Sequence, residues 1–198
     1  MPARATRGAA LALFCALSLN AGATQPAAPE RTLLSSPPKA VGEFQLTDQR
    51  GRPFKSAQLL GTPTLVFFGF TNCPDVCPVT MQRLTLFKRS HPELAKVKVV
   101  MISVDGERDT PKRMATYLAS YSPSFIGLTG KPATVNRIAQ EFTAAFFKGS
   151  AKPQGGYDVE HSSQVYLLDT SNRLTATFFD APDAAMTEVI RSVMSSGP

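Results

Sequence analysis

The chain has 198 residues, of which 43% are hydrophobic and 18% are charged, as in an ordinary globular protein. This composition excludes a disordered chain, a fibrous chain and a protein with several membrane spans. The formal net charge is +6, but no run of basic residues exceeds two. Nucleic-acid binding calls for clustered basic and aromatic side chains, so we expect no nucleic-acid partner.

Residues 1–23 have the pattern of a secretory signal peptide. Arg4 and Arg7 supply positive charge, residues 9–19 are mostly apolar, and Ala21-Gly22-Ala23 is a small-residue cleavage site. The apolar stretch is shorter than the roughly 20 residues of a membrane-spanning helix. We therefore predict an exported, periplasmic protein with a cleaved leader. The alternative is an uncleaved N-terminal segment that anchors the protein in the membrane, facing the periplasm.

The next segment, residues 24–40, is rich in Pro, Ala and Ser, which predicts a flexible linker. Residues 41–198 are predicted to form one domain. This domain begins with a short β-hairpin over 44–54, because a Gly-containing turn joins two short strand patterns. We interpret the hairpin as an N-terminal extension of the main fold.

The rest of the domain alternates between strand and helix patterns. Continuous apolar runs over 64–70 and 97–104 predict two central strands that are buried on both faces. Apolar residues at helical spacing predict four helices, over 78–94, 111–118, 132–142 and 183–194. Shorter strands are predicted over 125–128, 165–168 and 174–179, and residues 148–156 are predicted to be a polar loop. The alternation predicts a three-layer α/β sandwich with parallel central strands, and function beyond their carboxyl ends.

Cys73 and Cys77 are the cysteines that remain once the leader, with Cys15, is removed. They lie directly after the first buried strand, and Pro78 suits the first turn of a helix. Because the N-terminus of a helix favours a thiolate, we expect both sulfurs at an exposed end of the sheet and a lowered pKa for at least one. Four interpretations of the two cysteines remain open: a redox-active pair, a metal site, a disulfide across a short loop and a buried inert pair.

The supply of ligands narrows the choice of metal. A structural zinc site usually has four Cys or His ligands, and His91 is predicted to be a solvated residue at the end of the first helix. Cys73, Cys77 and His161 then remain, a soft set that suits Cu(I) or, with an open position, Cu(II). His161 precedes a late strand whose position allows it to approach the cysteines, although a core or surface role for it remains open. Copper is the preferred metal.

Three other sites are disfavoured by the residues present. A Cys–His hydrolase needs one nucleophile, and a second cysteine four residues away would inactivate it by forming a disulfide. A peroxidatic cysteine usually has Thr or Ser three residues before it. In this chain that position is occupied by Phe70 for Cys73 and by Pro74 for Cys77, which disfavours peroxidase chemistry. The acidic segment 105–109 is predicted to be a turn and a helix cap rather than a phosphate or metal loop.

Four segments together resemble the Sco/SenC family of copper chaperones, which have a thioredoxin-like fold. They are FFGFTNCPDVCP (67–78), ISVDGERDTP (102–111), GLTG (127–130) and YDVEHSSQVYLLD (157–169). The resemblance implies that Cys73, Cys77 and His161 bind copper, as Cu(I) or Cu(II). Gly106 departs from the family, which usually has Pro after the Asp, and we expect this to loosen the turn.

The resemblance also implies a function and partners. The expected role is delivery of copper to the binuclear copper site of cytochrome c oxidase, with the copper-bearing subunit as acceptor and other copper chaperones or thiol reductases as further partners. We expect a monomeric carrier rather than an enzyme. The alternative is a periplasmic thiol–disulfide oxidoreductase or redox sensor that uses Cys73 and Cys77. No Pro lies between Gly155 and Asp169, where thioredoxin-like reductases usually have a cis-Pro, and this favours copper.

Overall fold

A mixed eight-stranded sheet forms the centre of the computed structural model, which describes residue 1 and residues 32–151, 157–179 and 183–195. The predicted signal peptide lies outside the described residues apart from Met1. The strands of the described chain are β1 (Thr32–Ala40), β2 (Gln45–Asp48), β3 (Pro53–Lys55), β4 (Thr64–Gly69), β5 (Lys98–Ser103), β6 (Ile126–Thr129), β7 (Phe146–Ala151), β8 (Tyr157–His161), β9 (Val165–Leu168) and β10 (Arg173–Phe178). The strand order of the large sheet is β1-β10-β9-β4-β5-β6-β2-β3, and β7 and β8 form a separate antiparallel pair.

The pairing directions confirm the predicted arrangement of the sheet. β4 pairs in parallel with β5, and β5 with β6. The late hairpin adds β9 and β10 as antiparallel strands, and the early hairpin adds β2 and β3 at the other edge. All six residues of β4 are buried, as expected for a central strand covered on both faces.

In the described part of the chain, the two faces of the sheet are covered by four helices: α1 (Val76–Ser90), α2 (Pro111–Ala119), α3 (Pro132–Glu141) and α4 (Asp183–Ser195). On one face, Gly127 of β6 is close to α2, since a Cβ at this glycine would lie 2.6 Å from Leu118. On the other face, Phe68 packs edge-on against Phe142, the C-cap of α3, at 5.3 Å between ring centroids. Helix α4 lies beside the end of α1, since Arg191 pairs with Glu93 of the turn that follows α1. The structure therefore confirms the three-layer α/β sandwich.

Local signals set the helix boundaries. The side chain of Thr110 accepts a hydrogen bond from the amide of Arg113 and Pro111 follows it, so α2 begins where the sequence predicts. Helix α1 begins two residues before Pro78 and ends at Ser90, and Pro92–Leu94 form a separate 3-10 turn. The prediction of one helix through residue 94 is wrong because Pro92 disfavours helical backbone at the residue before it.

The predicted linker over 24–40 is wrong for its second half. Thr32–Ala40 form β1, which pairs antiparallel with β10 at the edge of the sheet, and residues 24–31 lie outside the described residues. An edge strand tolerates Pro37 and Pro38, and the pairing register shifts between Leu34 and Lys39 around them. Most side chains of β1 are exposed, so the sequence lacks the alternation that would have predicted a strand.

The predicted polar loop over 148–156 is also wrong in part. Lys148 to Ala151 belong to β7, which pairs antiparallel with β8, while residues 152–156 lie outside the described residues. Side chains of β8 alternate between half-buried and exposed, so the hairpin rests on the domain with one face. Among the described residues, no helix is long and apolar enough to cross a membrane.

Candidate metal centre

The two cysteines lie at the carboxyl end of β4, where the chain turns into α1. Cys73 is in the loop and half-buried, and Cys77 is the second residue of α1 and has no exposed surface. The amide of Cys77 donates a hydrogen bond to the Cys73 sulfur at 3.3 Å. Gly69 makes room for the buried sulfur, because a Cβ at this glycine would lie 2.9 Å from Cys77 Sγ. Both cysteines are free thiols.

His161 is the last residue of β8, and its ring meets both sulfurs. Its Nε2 atom lies 3.1 Å from Cys77 Sγ and 3.7 Å from Cys73 Sγ. The three ligand atoms all lie within 4.8 Å of one another. The structure thus brings together all three residues singled out by the sequence, and in the described part of the chain no other group of three His, Cys, Asp or Glu side chains is placed to hold a metal ion.

The orientation of the imidazole suits metal binding. Its Nδ1 atom lies 3.0 Å from the carbonyl oxygen of Ser162, which assigns the proton to Nδ1 and leaves the Nε2 lone pair directed at the sulfurs. The rings of Phe67 and Phe70 meet the imidazole edge-on, with centroids at 5.8 Å and 5.6 Å. Burial lowers the pKa of His161, so the ring is neutral near pH 7.

The electrostatics of Cys77 differ from the prediction. Burial raises the pKa of the Cys77 thiol, the nearby Cys73 and Asp109 add to this rise, and a hydrogen bond from the Phe70 amide at 3.5 Å only partly opposes it. The expectation of a lowered pKa is therefore wrong for this cysteine, because desolvation outweighs the N-terminal field of α1. A thiolate at Cys77 requires a compensating cation, which a bound metal supplies.

A buried carboxylate holds the loop that carries Cys73. Asp109 has no exposed surface and accepts hydrogen bonds from the Thr71 amide at 2.9 Å, the Thr71 hydroxyl at 2.6 Å and the Ser103 hydroxyl at 2.7 Å. These bonds tie the start of the cysteine loop to the end of β5. The sequence predicts only a turn and a helix cap here, because nothing in the local pattern indicates a partner 38 residues away.

Two further predictions need correction. His91 is half-buried and not simply solvated: its Nδ1 lies 3.0 Å from the Phe87 carbonyl oxygen and its Nε2 lies 3.1 Å from the Thr187 hydroxyl, so it links α1 to α4. Gly106 was expected to loosen its turn. In the structure it packs so closely against Gly130 that a Cβ would overlap the carbonyl oxygen of that residue.

The fold and the site define a thioredoxin-like protein with a candidate metal centre of two cysteines and one histidine. The chain belongs to the SCO1/SenC family, whose model matches residues 34–195. It is 33% identical over 170 residues to a SCO2-like protein of Rickettsia prowazekii, covering 85% of this chain and 82% of the relative. The family resemblance noted from the sequence is confirmed.

Solved structures agree with this assignment. The ScoI protein of Bradyrhizobium japonicum, solved with copper bound, is 37% identical and superposes with a TM-score of 0.69 over 77% of this chain and 98% of that chain. Yeast Sco1, also solved with copper bound, is 28% identical and superposes with a TM-score of 0.72 over 81% of this chain and 91% of that chain.

Proposed function

We propose that this chain binds copper through Cys73, Cys77 and His161 and passes it on during the assembly of cytochrome c oxidase. The carrying observation is the cluster of two sulfurs and one imidazole nitrogen within 4.8 Å. The copper-bound state of the family members from B. japonicum and yeast supports copper as the metal. Copper is the cargo of this protein, which holds it and then releases it.

The donor set suits such a cargo. Two thiolates are soft ligands that favour Cu(I), and the neutral imidazole of His161 extends the site to Cu(II). Three protein ligands leave a coordination position open, where a thiolate of the acceptor enters. Cys73 is the half-buried sulfur and Cys77 the fully buried one. The entering thiolate therefore displaces Cys73 first, and copper moves by stepwise ligand exchange.

The proposed acceptor is the binuclear copper site of the copper-bearing oxidase subunit. Other copper chaperones would load the protein, and thiol reductases would keep its cysteines reduced, since a disulfide cannot bind Cu(I). We propose that the protein acts as a monomer in the periplasm after its leader is cleaved, with a membrane-anchored form as the alternative. Mass spectrometry of the exported protein tests cleavage after Ala23.

A transfer assay tests delivery. Copper-loaded protein is mixed with the reduced, copper-free soluble domain of the oxidase subunit, in the presence of a chelator that removes free copper. The account predicts that the optical spectrum of the binuclear site appears. The matched control is Cys73→Ser mixed with the same total copper, which should give no such spectrum. Equal loading with the variant, or no loading with the wild type, would contradict delivery.

A second candidate function is thiol–disulfide exchange, which the proximity of the two free sulfurs favours. Here the Cys73 thiolate attacks a partner's disulfide and Cys77 resolves the mixed disulfide. The chain loses two electrons and two protons, and the partner's disulfide becomes a dithiol. Measuring the reduction of a model disulfide tests this function, and the rate should be largely unchanged in His161→Ala.

A further inference from the structure

The hairpin that carries His161 is only loosely integrated into the fold. In the described chain, β7 and β8 pair with each other and with no strand of the large sheet. The Ser162 amide closes the hairpin by donating to the Ala145 carbonyl oxygen at 2.9 Å, and Phe146 and Val159 pack partly against the core. No described ladder hydrogen bond joins β7 or β8 to the large sheet. The position of His161 therefore depends on the contact of its ring with the Phe68 backbone of β4 and on side-chain contacts of the hairpin.

Tyr157, the first residue of β8, makes several such side-chain contacts. The Arg108 guanidinium lies over its ring, 3.9 Å from the ring centroid, and the Lys148 ammonium lies 4.1 Å from the same centroid. Its hydroxyl donates to Asp105 Oδ1 at 2.5 Å. Arg108 also pairs with Asp105 and donates to the Tyr157 carbonyl oxygen at 3.1 Å. We refer to Asp105, Arg108, Lys148 and Tyr157 as the tyrosine clamp.

The tyrosine clamp joins the hairpin to the rigid part of the domain. Asp105 is almost fully buried in the loop after β5, and Lys148, on β7, is tied back to the same loop by an ion pair with Glu107 at 2.6 Å. Arg108 also lies over the Phe70 ring, 5.9 Å from its centroid, and Phe70 meets His161 edge-on. A continuous series of contacts therefore runs from Tyr157 through Arg108 and Phe70 to the imidazole.

We propose that Tyr157 is a positioning residue that holds β8 so that His161 reaches the two cysteine sulfurs. This inference rests on the proposed copper function. The cysteines are held independently by β4, α1 and Asp109, so loss of the clamp removes the imidazole but leaves both thiolates in place. The clamp therefore decides whether the site binds Cu(II), while Cu(I) binding by the two sulfurs depends on it far less.

Two substitutions separate the parts of the clamp. Tyr157→Ala should lower Cu(II) affinity by roughly 10-fold or more, as is typical when a residue that orients a metal ligand is lost. The same substitution should weaken the thiolate-to-Cu(II) absorption band. Cu(I) affinity, measured by anaerobic competition with a chelator, should change by less than about 3-fold. Tyr157→Phe keeps the ring that contacts Arg108 and Lys148 and should retain most of the Cu(II) affinity. Wild-type Cu(II) affinity and absorption in Tyr157→Ala would overturn the proposal.

A matched control and a double mutant show whether the effect passes through His161. Phe147→Ala removes another aromatic side chain of the same hairpin, one that is 69% exposed, and should leave both affinities unchanged. In a His161→Ala background, Tyr157→Ala should cause no further loss of Cu(II) affinity, since the ligand it positions is absent. A further loss as large as that in the wild-type background would overturn the proposal.

A copper-free measurement keeps this proposal separate from the proposed function. If the wild-type protein takes up no copper, the proposed function fails, but the clamp can still be tested by hydrogen exchange of the Ser162 amide. Tyr157→Ala should accelerate this exchange by roughly 10-fold or more while leaving the β4 amides protected. Unchanged exchange at Ser162 would show that Tyr157 does not hold the hairpin and would overturn the inference.

Discussion

The Nε2 atom of His161 lies 3.1 Å from the sulfur of Cys77, although 84 residues separate them in the chain. The two groups are supported differently. The sulfur is buried at the junction of β4 and α1, whereas the imidazole is at the end of a hairpin held by side-chain contacts. This difference implies that the two sulfurs are held rigidly, whereas the position of the imidazole depends on its surroundings.

Removal of the imidazole should separate the two oxidation states of copper. Loss of a residue that orients a metal ligand typically lowers metal affinity by roughly 10- to 100-fold. His161→Ala should lower Cu(II) affinity by more than this, because the ligand itself is lost. Cu(I) affinity should fall far less, since both thiolates remain. Competition titrations with each ion measure both effects, and oxidation of the dithiol in the same variant should be largely unchanged. Unaltered affinity for both ions would exclude His161 as a ligand.

Gly69 should be sensitive to even the smallest side chain. In Gly69→Ala the new Cβ would lie 2.6 Å from the Phe67 ring and 2.9 Å from Cys77 Sγ, so the sulfur or the ring must move. We expect a loss of about 1–3 kcal/mol in the free energy of unfolding together with weaker copper binding. Denaturant unfolding and the Cu(I) titration measure the two effects.

Gly149 provides the control for this substitution. A Cβ there would lie 3.4 Å from its nearest neighbour, the Asp158 carbonyl oxygen, which is an ordinary contact. Gly149→Ala should therefore bind copper as the wild type does. If Gly69→Ala, like Gly149→Ala, bound copper as the wild type does, close packing around the Cys77 sulfur would be shown to be unimportant.

Copper affinity should rise with pH. Because burial raises the pKa of Cys77, its thiol is protonated at neutral pH and must release a proton when copper binds. Each released proton makes the affinity rise about tenfold per pH unit below the thiol pKa. His161, whose pKa is lowered, is already neutral near pH 7 and contributes little to this slope. Cu(I) titrations at about pH 7 and pH 8 measure the slope.

His161→Ala is the control for the pH dependence, because it should keep the slope of the wild type in this range. A copper affinity independent of pH would mean that Cys77 is already a thiolate in the metal-free protein. A slope that disappears in the His161→Ala variant would assign the released proton to the imidazole instead.

Asp109 should contribute strongly to stability. Asp109→Ala leaves the Thr71 amide and the Thr71 and Ser103 hydroxyls without their acceptor, and we expect a loss of about 2–3 kcal/mol in the free energy of unfolding. Asp75, the exposed N-cap of α1, makes no capping hydrogen bond with its side chain. Asp75→Ala should therefore change stability by less than about 0.5 kcal/mol. Similar losses in both variants, measured by denaturant unfolding, would contradict the assigned role of Asp109.

Much of the fold could be predicted from the sequence because its strong patterns are local. The apolar run of β4, the Pro residues near the helix starts and the helical spacing in α4 each act over a few residues. The sequence does not predict β1 and β7, because both strands have few buried side chains. They are held by backbone pairing, β1 with the distant strand β10 and β7 with the polar strand β8. Backbone pairing of this kind produces no periodic pattern of apolar residues in a single sequence.

The candidate site was predictable in its residues but not in its electrostatics. Two cysteines after a buried strand and one histidine before a late strand indicated the ligand set. The complete burial of Cys77, which reverses the expected direction of its pKa shift, depends on packing by Gly69 and Phe67 and on the His161 hairpin. The support from Asp109 and Tyr157 likewise comes from contacts across 38 and 52 residues.

The most direct test of the account is an anaerobic Cu(I) titration of the reduced protein against a competing chelator, repeated with Cys73→Ser. The variant retains Cys77 and His161, so it tests whether both sulfurs are needed. The account predicts tight uptake of one copper per wild-type chain and loss of this uptake in the variant. Wild-type uptake no greater than that of Cys73→Ser would contradict the copper site and leave the two cysteines as a redox pair.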